Sequence, residues 1–249
     1  MAHFNNDCPI CGGAGVVACC DVHTTPINHP DYGKVKACPA CSKGTWDASV
    51  GIAEAELPSL NWDEFYPTTT MNILKPALES LLAKGYGWLY IYGSPGIGKT
   101  LAVKAASVVA HFKYKYKTKY ITHTRLVNYL RTSYDEDRGQ IEYSNRLDTL
   151  CNTKLLVLDE LGRDRINDFS RSSLSDILDN RYTDAIYKKT MTAMVSNFAP
   201  KDILDDYQQD RVFDKRFHVL ELKEDKSVRS RASYNNDKKE DEEQWWNKI

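Results

Sequence analysis

Apolar residues recur at helical spacing through Ile73, Leu74, Leu78, Leu81 and Leu82, which predicts an amphipathic helix soon after Met71. Residues 88–92 form a short apolar and aromatic run that stops at Gly93, the pattern of a buried strand. Residues 101–111 read as a second helix, 119–122 as a strand and 125–132 as a helix. Residues 154–158 make a strongly apolar strand bounded by Asp159. Residues 172–182 place Leu174, Ile177 and Leu178 on one helical face, and 191–196 and 218–222 are the last two strands. Strands alternating with helices predict an α/β fold, a parallel sheet covered by helices on both faces.

The first 46 residues break this pattern. They are rich in Cys, Gly, Pro and His and show no helical or strand period. So short a segment cannot build a core and needs a staple. Residues 47–70 are a linker, and its Trp62, Phe65 and Tyr66 suggest that it lies on something. Residues 71–232 hold the alternating elements. Residues 233–249 are polar and acidic, end in Trp245-Trp246-Asn247-Lys248-Ile249, and are expected to be disordered.

Composition narrows the class. With 42% hydrophobic and 27% charged residues the chain is an ordinary globular protein. No apolar run approaches the roughly 18 residues a membrane span needs. The start has no basic region followed by an apolar one, so no secretory leader is expected. Formal net charge is −1, so attraction to a polyanion must come from a local patch.

The strongest chemical signal is Gly93-Ser94-Pro95-Gly96-Ile97-Gly98-Lys99-Thr100, a full G-x-x-x-x-G-K-[ST] loop between an apolar strand and a helix that continues through Leu101. Glycines let backbone N–H groups turn inward around phosphate oxygens, and the helix N-terminus adds its dipole. Lys99 places a charge between the β- and γ-phosphates of ATP, and the Thr100 hydroxyl ligates Mg²⁺. A second element must hold that ion from a neighbouring strand. Asp159, at the carboxyl end of an apolar run, holds it through water, and Glu160 polarises an attacking water.

Six of the seven cysteines fall in the first 41 residues. Cys8, Cys11, Cys38 and Cys41 form two C-x₂-C knuckles that close a tetrahedral Zn²⁺ site. The insertion between them carries Cys19, Cys20, His23 and His29, candidates for a second ion or a substitute ligand. Lys113, Lys115, Lys117 and Lys119 alternate with Tyr114, Tyr116, Thr118 and Tyr120. If extended, the lysines line one side. That suits single-stranded nucleic acid, and it equally suits a charged edge strand that resists aggregation.

From about residue 53 to 231 the order of parts resembles the AAA+ ATPases, in particular the DnaC-like bacterial and phage helicase loaders and their IstB-like transposition relatives. Residues 93–100 look like the Walker A loop and 155–160 like the Walker B strand. Residues 174–182 are similar to the family's helix ending in Arg-Tyr, and 192–197 to its strand ending in Ser-Asn. The resemblance implies a P-loop AAA+ fold, with Asn197 as sensor 1 and Arg229 as sensor 2. The family's Arg-x-x-x-Arg pattern aligns its second arginine with Lys215. A shift of one residue gives the finger role to Arg216, with Arg211 beside it, and lysine cannot offer the planar fork.

By the same resemblance the chain is expected to be a bacterial or phage-host cytoplasmic ATPase that forms an ATP-dependent homo-oligomer. It would grip a replicative DNA helicase through residues 1–46 and load it onto single-stranded DNA. Two alternatives stay open. One is an IstB-like transposition ATPase that regulates a transposase on duplex DNA. The other is a zinc-stabilised nucleotide-binding adaptor with little turnover.

Overall fold

The computed structural model describes residues 16–18, 26, 32, 35–37, 47–62, 65, 68–133, 139–163 and 168–223. The chain divides into two units, Met1–Ala48 and Ser49–Ile249. In the first, β1 (Val16–Ala18) pairs antiparallel with β2 (Val35–Ala37), Val17 opposite Lys36. The sequence showed no period here because three-residue strands are too short to display one. All the cysteine and histidine candidates of this segment lie outside the described residues.

The second unit begins with the linker. It forms two short 3₁₀ helices, Ala48–Val50 and Glu54–Leu60, and buries Val50, Ile52, Leu60 and Trp62. Then come α1 (Thr69–Lys84), β3 (Gly87–Gly93), α2 (Lys99–Phe112), β4 (Thr118–Thr122) and α3 (His123–Arg131). They are followed by α4 (Gly139–Cys151), β5 (Leu155–Leu161), α5 (Asp168–Ile186) and β6 (Met191–Ser196). The described chain closes with α6 (Pro200–Ile203), α7 (Asp206–Val212) and β7 (His218–Leu222).

Helix ends have local causes. The Thr68 hydroxyl accepts from Met71 N at 3.0 Å and starts α1. Gly85, with a left-handed backbone, ends it by donating its N–H to Leu81 O at 3.0 Å.

The five strands of this unit are all parallel, in the order β4-β5-β6-β3-β7, and helices flank the sheet. The α/β class expected from the sequence is the one observed. β3 sits between β6 and β7 and is buried from Gly87 to Ile91. Trp88 stacks on Phe217 at 5.1 Å and meets Tyr182 edge-on at 5.9 Å. Truncating a tryptophan packed this way costs about 3–5 kcal/mol.

Arg181, on α5, is fully buried, and its hydrogen bonds among the described residues go to carbonyls and one hydroxyl. It donates to the carbonyls of Leu150, Cys151 and Thr153 at 2.8–2.9 Å, to Met191 O, and to the Thr192 hydroxyl at 2.8 Å. One guanidinium thus satisfies the end of α4 and the starts of β5 and β6. Burial lowers its pKa to about 10. Cys151 is buried at the end of α4, and burial pushes its thiol up to about 11. No helix among the described residues is long and apolar enough to cross a membrane.

Candidate nucleotide site

β3 and β6 are neighbours in the sheet but not in the chain, so their carboxyl ends flank a crevice, the usual ligand position in open α/β sheets. The loop 93–100 leaves β3 there and opens α2. Gly93 lies so close to β7 that a Cβ would stand 2.3 Å from Leu222 O. Gly98 caps α2 with φ +99°, a conformation that side chains resist. These two positions explain why the motif requires glycine.

Lys99 is only 6% exposed. Its ammonium donates to Gly93 O at 2.8 Å, Ser94 O at 2.7 Å and the Asn197 Oδ1 at 2.9 Å. All three of its protons are therefore directed at acceptors. Burial lowers its pKa to about 8, and the Asp159 charge opposes that fall. Asn197, the residue after β6, is thereby brought to the phosphate loop from the neighbouring strand.

Asp159 is 1% exposed. Its Oδ2 accepts from the Tyr120 hydroxyl at 2.8 Å and its Oδ1 from Glu160 N at 2.7 Å. Burial, and then the Asp159 charge, push the Tyr120 pKa up and keep its proton on. In the sequence Tyr120 stands out only as the last ring of the lysine-tyrosine stripe. The signal was strand parity: Tyr120 pairs with Val157, so its side chain shares a face with Asp159.

The strand does not stop before the acids, as expected, but runs on to Leu161. A register irregularity between Leu158 and Leu161 and a left-handed Glu160 (φ 57°) explain the difference, since the bulge turns Glu160 aside while Asp159 stays in the interior. Glu160 is half-buried and pairs with Arg163 through Oε1. A buried carboxylate whose charge Lys99 feels, with the Thr100 hydroxyl in the first turn of α2, is a donor set that suits a hard divalent cation.

The basic residues near α7 form a second cluster. Arg211 pairs with Asp179 at 3.2 Å and lies over the rings of Tyr207 and Tyr182, at 3.6 and 5.2 Å. Arg216 donates through Nε to Asp214 Oδ1 at 2.8 Å and through Nη2 to the Tyr182 hydroxyl at 3.0 Å, while that hydroxyl donates to Asp214 Oδ2 at 2.8 Å. The Arg216 hydrogen bond holds the Asp214 carboxyl below the usual carboxylate range. Lys215 is exposed.

The lysine stripe is not one extended strand. Lys113 caps α2, Lys115 is left-handed (φ 57°), and only Lys119 lies in β4, where its Nζ donates to Ser49 O at 2.7 Å. Cys8, Cys11, Cys38 and Cys41, Arg229 and the Trp245-Trp246 pair lie outside the described residues. Among the described residues there is no group of three or more potential metal ligands.

No curated protein matches the chain. Among solved structures, the DnaC helicase loader superposes with a TM-score of 0.56 at 21% identity, covering 69% of this chain and 100% of that one. A DNA replication initiation factor gives 0.56 at 19% identity, covering 72% and 54%. AMPPCP-bound DnaA from Aquifex aeolicus gives 0.55 at 20%, covering 72% and 55%. The chain thus spans about half the length of the last two, and at these identities the likeness is one of fold. The model of the IstB-like ATP binding protein family matches residues 87–235, more than half of the chain. Phosphate loop, acidic strand and family match agree: this chain belongs to the IstB-like ATP binding proteins, within the IstB/DnaC-like AAA+ ATPases.

Proposed function

We propose that the chain is an ATP-driven loader of a replicative DNA helicase onto single-stranded DNA. The observation that carries the ATP-driven part is the buried Lys99 ammonium, held among loop carbonyls and the Asn197 amide. A triphosphate entering the loop takes over the hydrogen bonds now given to Gly93 and Ser94. Asn197 then reports the γ-phosphate from β6. Glu160 takes the proton of the water that attacks the γ-phosphorus, as the bond to the departing diphosphate breaks. For this the Glu160–Arg163 pair must open. Thr100 and Asp159 would hold a magnesium ion, which would supply charge neutralisation to the phosphates.

Arg216 precedes β7, whose His218 pairs with Leu89, four residues before Gly93. That separates His218 from the phosphate loop by about 13 Å along the sheet, and Arg216 lies two residues further back in the chain. Its use at a γ-phosphate therefore requires a second copy of the chain, which makes ATP a device for assembly. Arg229 senses the same phosphates from beyond β7. The loader part is supported by the likeness in fold to the DnaC helicase loader over that chain's whole length. Residues 1–46, folded by zinc on Cys8, Cys11, Cys38 and Cys41, grip the helicase.

The IstB-like family match favours one other reading, a transposition ATPase acting with a transposase on duplex DNA. Steady-state ATP hydrolysis with each DNA form separates the two. Stimulation by single strands supports the loader and stimulation by duplex supports the transposition ATPase. Bound nucleotide without turnover in either case leaves a zinc-stabilised adaptor.

A further inference from the structure

We propose that the amino-end edge of the five-stranded sheet is a binding surface for single-stranded nucleic acid. Four strands start level with one another: Thr118 pairs with Leu155, Leu155 with Met191, and Met191 with Gly87. The first residues of β4, β5, β6 and β3 therefore stand side by side, about 4.8 Å apart, and the segments that lead into them arrive at this edge. Each brings lysine. In order along the edge come Lys113, Lys115 and Lys117, then Lys154, then Lys188 and Lys189, then Lys84 at the end of α1.

Side-chain contacts join these segments into one surface. Lys154 Nζ donates to Lys189 O at 2.7 Å and stands 5.6 Å from the centre of the Tyr116 ring. Lys84 and Lys188 both stand over Tyr86, at 4.6 and 5.6 Å. Tyr114 and Tyr116 stack with centres 5.3 Å apart. Tyr187 is 69% exposed, with the Lys189 ammonium 5.9 Å from its ring.

The charge here is unbalanced. Among the described residues, Lys189 pairs with Asp184 at 3.4 Å, and Lys84, Lys113, Lys115, Lys117 and Lys188 have no ion-pair partner. A chain of net charge −1 thus gathers cations along one edge. Lys115 and Lys188 also hold left-handed backbones (φ 57° and 61°), where glycine would sit without strain.

A row of ammonium groups suits a phosphate backbone, and rings set among them suit the stacking of unpaired bases. A duplex hides its base faces and leaves the rings unused. The surface lies about 20 Å along β3 from Gly93, so a strand can be held there while nucleotide turns over at the other end. The inference rests on the DNA-handling reading for its purpose but not for its chemistry.

Fluorescence anisotropy of the full chain with labelled oligothymidylate, across a salt series, tests it. Lys113→Gln, Lys117→Gln and Lys188→Gln together are expected to weaken binding at least about tenfold and to lower the salt slope by about 2. Tyr187→Ala is expected to weaken binding about fivefold with the slope unchanged. Fluorescent-nucleotide binding, measured on the same proteins, is expected to stay constant. Should the wild-type chain bind no single strand, bind duplex equally well, or keep its affinity and slope in the triple variant, the surface is refuted. Loss of strand binding in the triple variant of a chain that binds no nucleotide upholds the surface and overturns the ATP-driven reading instead.

Discussion

The Lys99 ammonium donates to the Asn197 side-chain oxygen at 2.9 Å, tying the head of α2 to the end of β6. The same ammonium has a pKa lowered by burial to about 8. Phosphate favours the charged form, so nucleotide binding raises that pKa and takes up a proton wherever the free lysine has lost one. Affinity is therefore expected to be flat below pH 8 and to fall above it, with Kd rising up to about tenfold per pH unit. Calorimetric titrations between pH 7 and 9.5 check this, and a flat profile would contradict the buried ammonium.

Arg181→Ala removes the donor for four carbonyls and one hydroxyl in a dry interior. The expected loss is about 3 kcal/mol or more, seen as a drop of roughly 6–12 °C in Tm. Arg181→Lys is expected to recover only part of it, because an ammonium has three protons for five acceptors. A melting temperature within about 1 °C of wild type would show that the buried network adds little.

Arg216→Ala and Lys99→Ala fail for different reasons if the finger acts between copies. The first keeps its phosphate loop and loses turnover on the order of 10³-fold, and the second keeps its finger and loses nucleotide. Mixing the two inactive proteins is then expected to restore hydrolysis. No recovery on mixing, with both variants folded, removes Arg216 from the role. Lys215→Ala tested in the same way decides between the two neighbours.

Metal analysis of the purified full chain is expected to find one zinc per chain, lost when Cys8→Ser and Cys38→Ser are combined. Thiolate ligands must deprotonate to bind, so zinc retention is expected to fall as pH is lowered. Zinc-free protein that still folds its first unit would remove the metal from that unit.

The sequence made the phosphate loop and strand order of parts legible because both rest on local spacing. What it hid depends on contacts across the sheet. The bulge at Glu160 arises from β5 pairing with β6 and leaves no mark on the apolar run before it. α4 is faint in the sequence although Tyr143, Leu147 and Leu150 stand at helical spacing, because polar residues surround them and Ile141 is 65% exposed. Arg181 is marked in the sequence by the likeness of residues 174–182 to a family helix, yet its carbonyl partners come from other elements and no local pattern announces them. The lysine alternation suggested a strand, but Lys115 turns left-handed and breaks it.

The most direct measurement is single-turnover ATP hydrolysis by the full chain and by Glu160→Gln, with nucleotide affinity determined alongside. Equal affinity with a loss of about 10²-fold or more in the hydrolysis rate is the expected result. Equal hydrolysis rates in the two proteins, or no nucleotide bound by either, would contradict the ATP-driven reading of this site.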